Sequence, residues 1–543
     1  MKRPGETGSG GWSRRDLLKS SGLALGGLAL GARTVRAAPL VAQQCTGSCN
    51  WGASAANAYT WEVDPFTPGK PLGKDEMRVT FLGSGFPPPR RAQAEMSLFV
   101  EVGAGSSGTA PDQFIFDCGC GVTANYMAMG IDFGRMDKVF LNHLHGDHMS
   151  DVGHIYCFGP ASNRKKPLYV WGPGPSGVQG PRPPPKPYQG IKGPSRLYDD
   201  GTRAYCRNLR ELCRWHSESF SFEVTAYTDQ KLPTRESWGL PCDLVQVGDD
   251  PPDDGYALYP IELDWTKIGG VAYDNPTTGV RITHFPVIHA RRGSIGYKLE
   301  WNGLSLMYTS DTRPEWTCID QASAGDRPLD VFIHEMNLPP EVLAMKNLRL
   351  PYPPSLDPTD WKPPPGYDWL TYDVWKAAVD DLAMVVQSSH TPQGAFGYLL
   401  QALDERRKLP RLTVATHFPL ADDTVACALN SVKNHLSTIN RLGKAAGSGG
   451  GWLTWSTDLM VITVTKDSLK QELGQVNDYS YAPLSHDVGA PGRVPKYWTW
   501  ETDANGNLVY ENGMPVPVGD PHYQIDERTL IRSGPDTYCD SGY

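Results

Sequence analysis

The order of apolar segments in this sequence predicts an α/β protein, with layered sheets and helices packed outside them. Three observations carry that expectation. Short β-rich runs bounded by Gly, Pro and Asn recur along the chain, and longer segments with helical apolar spacing appear among the later ones. The chain has 543 residues, of which 40% are hydrophobic, so one large domain with insertions, or two domains, can bury a substantial core. Charged residues make up only 20%, while 57 Gly and 47 Pro call for long ordered loops. No apolar run reaches the length of about 18 residues that spans a bilayer, so no integral membrane segment is expected. The net charge of −9 argues against a long nucleic acid held on a broad basic surface.

The elements follow in order. Residues 77–82 form a β-rich run ending in Gly83-Ser84-Gly85, and residues 98–102 and 114–116 read as further strands. A short apolar strand at 138–141 opens directly into Asn142-His143-Leu144-His145-Gly146-Asp147-His148. A strand at 168–171 ends at Gly172-Pro173, and the stretch from 172 to about 275, with its Pro-rich (181–187) and acidic (249–254) patches, reads as an insertion. Alternation resumes at 280–284, and 296–299 with 304–308 form a hairpin around Asn302-Gly303. Residues 329–333 make a buried-type strand. Val374, Ala377, Ala378, Leu382 and Val385 give 371–386 a helical period, and 394–403 and 425–439 are helical too. Strands at 412–415 and 459–465 close the pattern. The organisation is a leader at 38–76, a main domain at 77–465 and a weakly periodic C-terminal extension at 466–543.

Residues 1–37 read as an address. Arg14-Arg15 stands ahead of Leu17-Leu18 and a Gly-rich apolar run, and Val35-Arg36-Ala37 supplies a cleavage site. The paired arginines resemble the twin-arginine signal, which implies the export machinery of that route and a periplasmic or secreted location. Removing this segment takes away seven basic and two acidic residues and moves the net charge from −9 to −14. Export would permit disulfides. Cys45/Cys49 and Cys206/Cys213 are close enough in sequence to pair locally, and the odd total of 11 Cys leaves a thiol over. Cys118 and Cys120, beside an apolar strand, read as small buried thiols.

The chemistry lies in the histidines. The chain has 13, yet three fall within six positions, with Asp147 among them. His143 and His145 sit two apart in an extended segment, so their side chains point the same way and can hold one metal. The Gly146 turn redirects the chain, so Asp147 and His148 can reach a second. Neutral imidazole suits zinc and a carboxylate completes a mixed shell, with manganese as the other candidate for the pair of divalent ions. His284 reads as a packed or outer-sphere residue of its strand. His154 reads as a surface residue on a helix opened by Asp147. Arg90 and Arg91 can clamp an anionic substrate or stand exposed in a Pro-rich loop. The Pro-, Tyr- and Trp-rich stretch 350–369 is expected to overhang the site, and its aromatic residues can either stack a base or ring of the substrate or form a small core of their own.

His143-Leu144-His145-Gly146-Asp147-His148 is the H-x-H-x-D-H signature of the metallo-β-lactamase superfamily, which this chain resembles over about residues 77–465. His289 resembles the family's third histidine, Asp311 in Tyr308-Thr309-Ser310-Asp311-Thr312 its bridging aspartate with Ser310 in place of Gly, and His417 its last ligand. The resemblance implies an αββα sandwich with two metals at one edge. His143, His145 and His289 would hold one, Asp147, His148 and His417 the other, and Asp311 would bridge. Within the superfamily, His334-Glu335 and His390-Thr391 are similar to motifs of the ribonuclease Z and phosphodiesterase branch. The P-x-K-x-R-N motif of ribonuclease Z is replaced by Pro89-Arg90-Arg91-Ala92-Gln93-Ala94, so the machinery carries over and the transfer-RNA substrate does not. The expected enzyme is an exported dinuclear-metal hydrolase that attacks a small, anionic phosphodiester with a metal-activated hydroxide. Asp147 orients the attack, and His390, paired to Glu335, protonates the leaving oxygen. Competing classes are a metallo-hydrolase of another ester, a lactone, β-lactam, sulfate or specialised-metabolite bond, and an iron-dependent oxidoreductase of the same fold.

Replacing Arg14 and Arg15 with Lys should leave a full-length precursor in the cytoplasm, read by immunoblot of cell fractions. Normal maturation of that variant would point to a different route.

Overall fold

The computed structural model describes residues 63–90, 93–105, 111–177, 200–221, 255–337, 340–350, 354–418, 424–443, 445–447 and 450–476, with a few positions between 503 and 515. The expected signal segment, Cys45, Cys49, Arg91 and the 181–187 and 249–254 patches lie outside the described residues.

The chain runs β1 (Asp64–Phe66), β2 (Met77–Gly83), β3 (Ser97–Val102), β4 (Asp112–Phe116), α1 (Val122–Ala128), β5 (Lys138–Phe140), α2 (Gly146–Met149), α3 (Val152–Ser162), β6 (Leu168–Pro173) and α4 (Thr202–Ser221). There follow β7 (Leu258–Leu263), β8 (Gly270–Asn275), β9 (Val280–Pro286), β10 (Ile295–Trp301), β11 (Leu304–Tyr308), α5 (Trp316–Ser323), β12 (Val331–Glu335), α6 (Pro340–Leu348), α7 (Tyr372–Ser389) and α8 (Gln393–Glu405). The last part is β13 (Leu412–Thr416), α9 (Thr424–His435), β14 (Asn440–Arg441), β15 (Ala445–Ala446), β16 (Trp452–Trp455), β17 (Met460–Val464) and β18 (Leu469–Gly474). One sheet has the order β1-β18-β17-β2-β3-β4-β5-β6-β7, with β15 against β18; the other is β14-β16-β13-β12-β11-β10-β9-β8.

Side-chain alternation explains the layers. Phe114 and Phe116 enter the cluster shared by the two sheets, whereas Ile115 between them joins the helices on the outer face. Between the sheets Phe140 stacks on Trp171 at 4.5 Å, and Phe116 meets Tyr297 across the interface at 5.6 Å. Each such ring removed from water contributes about 2–3 kcal/mol. Outside the first sheet lie α1, α3 and α4, through Val122, Tyr126, Ile155 and Leu209. Outside the second lie α5, α8 and α9, through Ile319, Phe396, Leu400 and Val432. This is the αββα sandwich. The expected hairpin closes at Asn302 and Gly303, with φ of 47° and 76°, the pair of positive values a two-residue type I′ turn requires.

Three expectations need correction. The described part of the 172–275 insertion is built into the layers, since β7 and β8 are edge strands of the two sheets. Pro260 masked β7 in the sequence; at a sheet edge its missing N–H costs nothing. The first sheet also extends past residue 465, because β18 lies between β17 and β1. That strand reads as polar, but Gln471 inside it is buried and accepts from Thr454 Oγ1 at 2.8 Å. Finally, the helix opened at Asp147 stops at Met149; His154 belongs to the next one, α3, where it is exposed beside Phe133 and Phe158. Of the two readings of 350–369, the small core holds: Trp361 and Tyr367 pack with Met345, Leu370 and Trp375 of the α6–α7 arm. Among the described residues no helix is long and apolar enough to cross a membrane.

Asp458, just before β17, ties that strand to the segments around β2 and α1. Its Oδ1 accepts from the Ser84 N–H (3.0 Å) and hydroxyl (2.8 Å), and its Oδ2 from Ala94 N (2.7 Å) and Asn125 Nδ2 (3.0 Å). Both oxygens therefore face a backbone N–H. Asp458→Asn keeps the shape but sets an amide NH2 against one of those donors in either orientation. It should lower stability by about 2 kcal/mol, read as a fall in the urea midpoint; an unchanged midpoint would show that the four-donor arrangement contributes nothing.

Candidate metal centre

The site lies where strands of both sheets end. β4, β5 and β6 run parallel in one sheet, and β11, β12, β13 and β16 in the other, so their carboxyl ends reach the same edge of the sandwich. β5 delivers residues 143–148, β9 leads to His289, β11 to Asp311 and β13 to His417, while Glu335 is the last residue of β12. Alternation on β12 separates the two halves of its motif. Glu335 faces the site, and His334 is buried between Phe332 and Phe396 in the helical layer.

All seven residues expected to hold metal come together. His143 Nε2 is 3.0 Å from His145 Nδ1, which is 3.1 Å from His289 Nε2. Beside this triad, His148 Nε2 and His417 Nε2 lie 3.3 and 3.2 Å from Asp147 Oδ2. Asp311 stands between the groups, with Oδ2 3.6 Å from His289 Nε2 and Oδ1 3.4 Å from His148 Nε2 and 3.3 Å from His417 Nδ1. His143-His145-His289 and Asp147-His148-Asp311-His417 are each close enough to share one ion.

The donor chemistry fits cations. His148 Nε2, Asp311 Oδ1 and His417 Nδ1 are buried with no hydrogen-bond partner, although water is excluded from them. Tautomers are set from behind. His289 Nδ1 donates to the Ser389 carbonyl at 2.7 Å, which leaves its Nε2 lone pair turned to the centre, and His148 Nδ1 donates to Asp117 Oδ2 at 2.8 Å, which turns its Nε2 the same way. Burial, reinforced by neighbouring imidazoles, holds His143 well below the usual imidazole range, and burial also lowers His289. Burial and the His148 charge bring His145 down to about 4. Burial opposes ionisation of Asp147, but His148 and His417 overcome it and keep the carboxylate charged; the same two rings hold Asp311 ionised. Neutral imidazoles and ionised carboxylates are the forms that bind metal. His148 is the exception: burial lowers its pKa, but Asp311, Asp147 and Asp117 outweigh burial and hold the ring well above the usual imidazole range, so a cation would have to displace its Nε2 proton.

A second pair borders this cluster. His390 Nδ1 lies 2.9 and 3.1 Å from the two oxygens of Glu335, and its ring stacks on His417 at 5.8 Å. Burial lowers the His390 pKa, but the Glu335 carboxylate outweighs it and raises the ring to about 9. Glu335 is fully buried and also accepts from Thr312 N at 2.5 Å, whereas His390 keeps 15% of its side chain open. Donor atoms of these two residues with Asp311 and His417 form a third group that could hold an ion.

Of the two expected anion clamps, Arg90 is engaged locally. Its guanidinium sits 5.0 Å over the Phe86 ring and donates to the Phe86 and Pro88 carbonyls, and it borders the site through Phe86, 6.3 Å from His417. His284 packs in its strand with Nε2 2.9 Å from the Asp264 carbonyl, away from the centre. The sequence reading missed two residues. Arg291 is close enough to His145 to lower its basicity and is paired with Asp200 at 3.5 Å. Asp117 is fully buried at the end of β4. Besides His148 it accepts from Asn142 N (2.9 Å), Tyr308 Oη (2.8 Å) and Ser310 Oγ (2.9 Å). A carboxylate directly after an apolar strand and before Gly119 was the available signal. Asp117→Asn should weaken divalent-metal affinity by about 10- to 100-fold in a chelator-competition titration; unchanged affinity would remove Asp117 from the support of His148.

No protein-family model matches the chain. In sequence it is similar to the ribonuclease Z of Mycolicibacterium gilvum, 24% identical over 278 residues, which covers 50% of this chain and 74% of that protein. Solved structures like it include the metallo-β-lactamase fold protein YhfI from Bacillus subtilis (TM-score 0.39, 13% identity, 72% of this chain and 100% of that one). The short form of human tRNase Z is another (TM-score 0.33, 16% identity, 71% and 98%). The architecture, the clustered donors and the sequence likeness make this a metal-dependent hydrolase of the metallo-β-lactamase fold, ribonuclease Z-like in sequence.

Proposed function

We propose that the protein is an exported phosphodiesterase that uses two divalent ions, zinc or manganese, to cleave a small anionic diester. His143, His145 and His289 would hold one ion, Asp147, His148 and His417 the other, and Asp311 both. Such a pair would lower the pKa of water toward about 7 and neutralise charge building on the phosphate.

The observation that carries the reading is the His390–Glu335 pair beside the donor cluster. With Nδ1 committed to Glu335, a protonated His390 has Nε2–H to give to the departing oxygen, and Glu335 steadies the imidazolium until that proton leaves. Asp147, ionised and partly accessible, orients the attacking water. As the water oxygen bonds to phosphorus, the bond to the leaving oxygen breaks and the His390 proton ends on it. Arg291, held by Asp200, lies close enough to His145 to lower its basicity and would favour an anionic substrate. Arg90 would border the other side, and Arg91 completes that loop outside the described residues. A net charge of −9 repels long polyanions, so a small diester suits the chain better than a nucleic acid. The periplasmic or extracellular location rests on Arg14-Arg15 and the segment behind them.

The reading is tested with bis(p-nitrophenyl) phosphate against a lactone, an aryl sulfate and a β-lactam at matched metal loading. The diester should turn over fastest, and Asp147→Ala should abolish cleavage. His390→Ala should keep its metal and lose about 10²- to 10⁴-fold in kcat, most with poor leaving groups. Faster turnover of any of the other three would overturn the diester, and loss of metal from His390→Ala would make His390 a ligand.

A further inference from the structure

Helices α3 and α4 lie side by side on the outer face of the first sheet, and their contacts repeat in one register. Tyr205 Oη donates to the carbonyl of Met149, the last residue of α2, at 3.0 Å, a separation of 56 positions. One turn on, Leu209 Cδ1 lies 3.3 Å from where a Cβ on Gly153 would stand, a tight contact that places Leu209 directly over Gly153. The next step of four residues brings Cys157 opposite Cys213, and the Cys213 thiol donates to the Cys157 sulfur. Beyond them, His216 Nε2 lies 2.9 Å from the Cys157 carbonyl, and its ring meets Phe158 at 4.7 Å. The offset is the same at 149/205, 153/209 and 157/213, so the helices run parallel and the thiols meet through the register of the whole interface.

We propose that Cys157 and Cys213 form a disulfide that locks α4 onto α3. Sequence spacing alone would allow Cys213 to pair with Cys206, but the structure excludes that partner. The two share helix α4 seven residues apart, about 10 Å along its axis, beyond the reach of a disulfide. Cys206 is buried, whereas Cys157 and Cys213 are both partly open to solvent. The hydrogen bond from Cys213 lowers the Cys157 thiol pKa, which makes Cys157 the attacking sulfur.

The oxidant is an external disulfide, carried by a thiol–disulfide oxidoreductase or by oxidised glutathione. The Cys157 thiolate attacks one of its sulfurs and releases the other as a thiol. Cys213, on losing its proton, attacks the Cys157 sulfur of the mixed disulfide and releases the second thiol. Two cysteine thiols are oxidised and one external disulfide is reduced. The bond lies two turns from the Tyr205–Met149 contact, so it would fix the register that supports α2, the helix carrying Asp147 and His148.

The test uses the full chain equilibrated with oxidised glutathione, blocked with N-ethylmaleimide without reduction, digested and analysed by mass spectrometry. The expected result is a linked peptide pair holding Cys157 and Cys213, lighter by two hydrogens than the separate thiol peptides. Dithiothreitol should then lower the melting temperature of the oxidised protein by several degrees, and this shift should vanish in both Cys157→Ser and Cys213→Ser. Maleimide on both cysteines after equilibration, or Cys213 linked to any other cysteine, would overturn the proposal.

Discussion

The carboxylate of Asp117 is the point on which the two sheets and the donor cluster all depend. It leaves β4 of the first sheet in the left-handed region (φ 55°) and accepts four hydrogen bonds. Two come from residues 142–148, fixing Asn142 and the tautomer of His148. Two come from Tyr308 and Ser310 of the second sheet, directly before Asp311. Ser310 is also left-handed (φ 55°), where the related motif has Gly, a conformation that costs about 1 kcal/mol or more in other residues. Its hydroxyl bond to Asp117 offsets that cost. One buried side chain thus sets the distance between the ligand loops of the two sheets.

The centre then follows from topology. Parallel strands place successive loops at one edge, so residues far apart in sequence converge there. Burial keeps the three histidines of one group neutral, and the second group gathers the two carboxylates. Asp311 reaches both groups because its two oxygens face different rings. His390 enters from the end of α7, outside the strand-end loops, which lets it touch Glu335 and stack on His417 while staying partly open to solvent.

What the sequence revealed was the local part. Residues 143–148 announce themselves because a strand, a turn and four donors are contiguous, and Phe114 and Phe116 betray their strand by alternation. The later donors, His289, Asp311 and His417, were found through their resemblance to the family's ordered motifs, since each stands apart from any local cluster of donors. Asp117 and Asp458 went unread because a buried carboxylate has no periodic signature; its donors are up to 374 positions away in sequence. β7 and β18 were missed because Pro260 and the Lys470-Gln471-Glu472 run mimic loops, and only their edge or paired positions make them strands. Sequence spacing leaves the partner of Cys213 open, because its neighbour in space lies on another helix.

The most direct test of the two-ion centre is metal stoichiometry by elemental analysis, on the purified full chain and on His143→Ala. The account predicts two divalent ions per chain, with most of one lost from the variant along with hydrolysis. Full occupancy in His143→Ala, or a single ion in the unaltered protein under saturating metal, would contradict it.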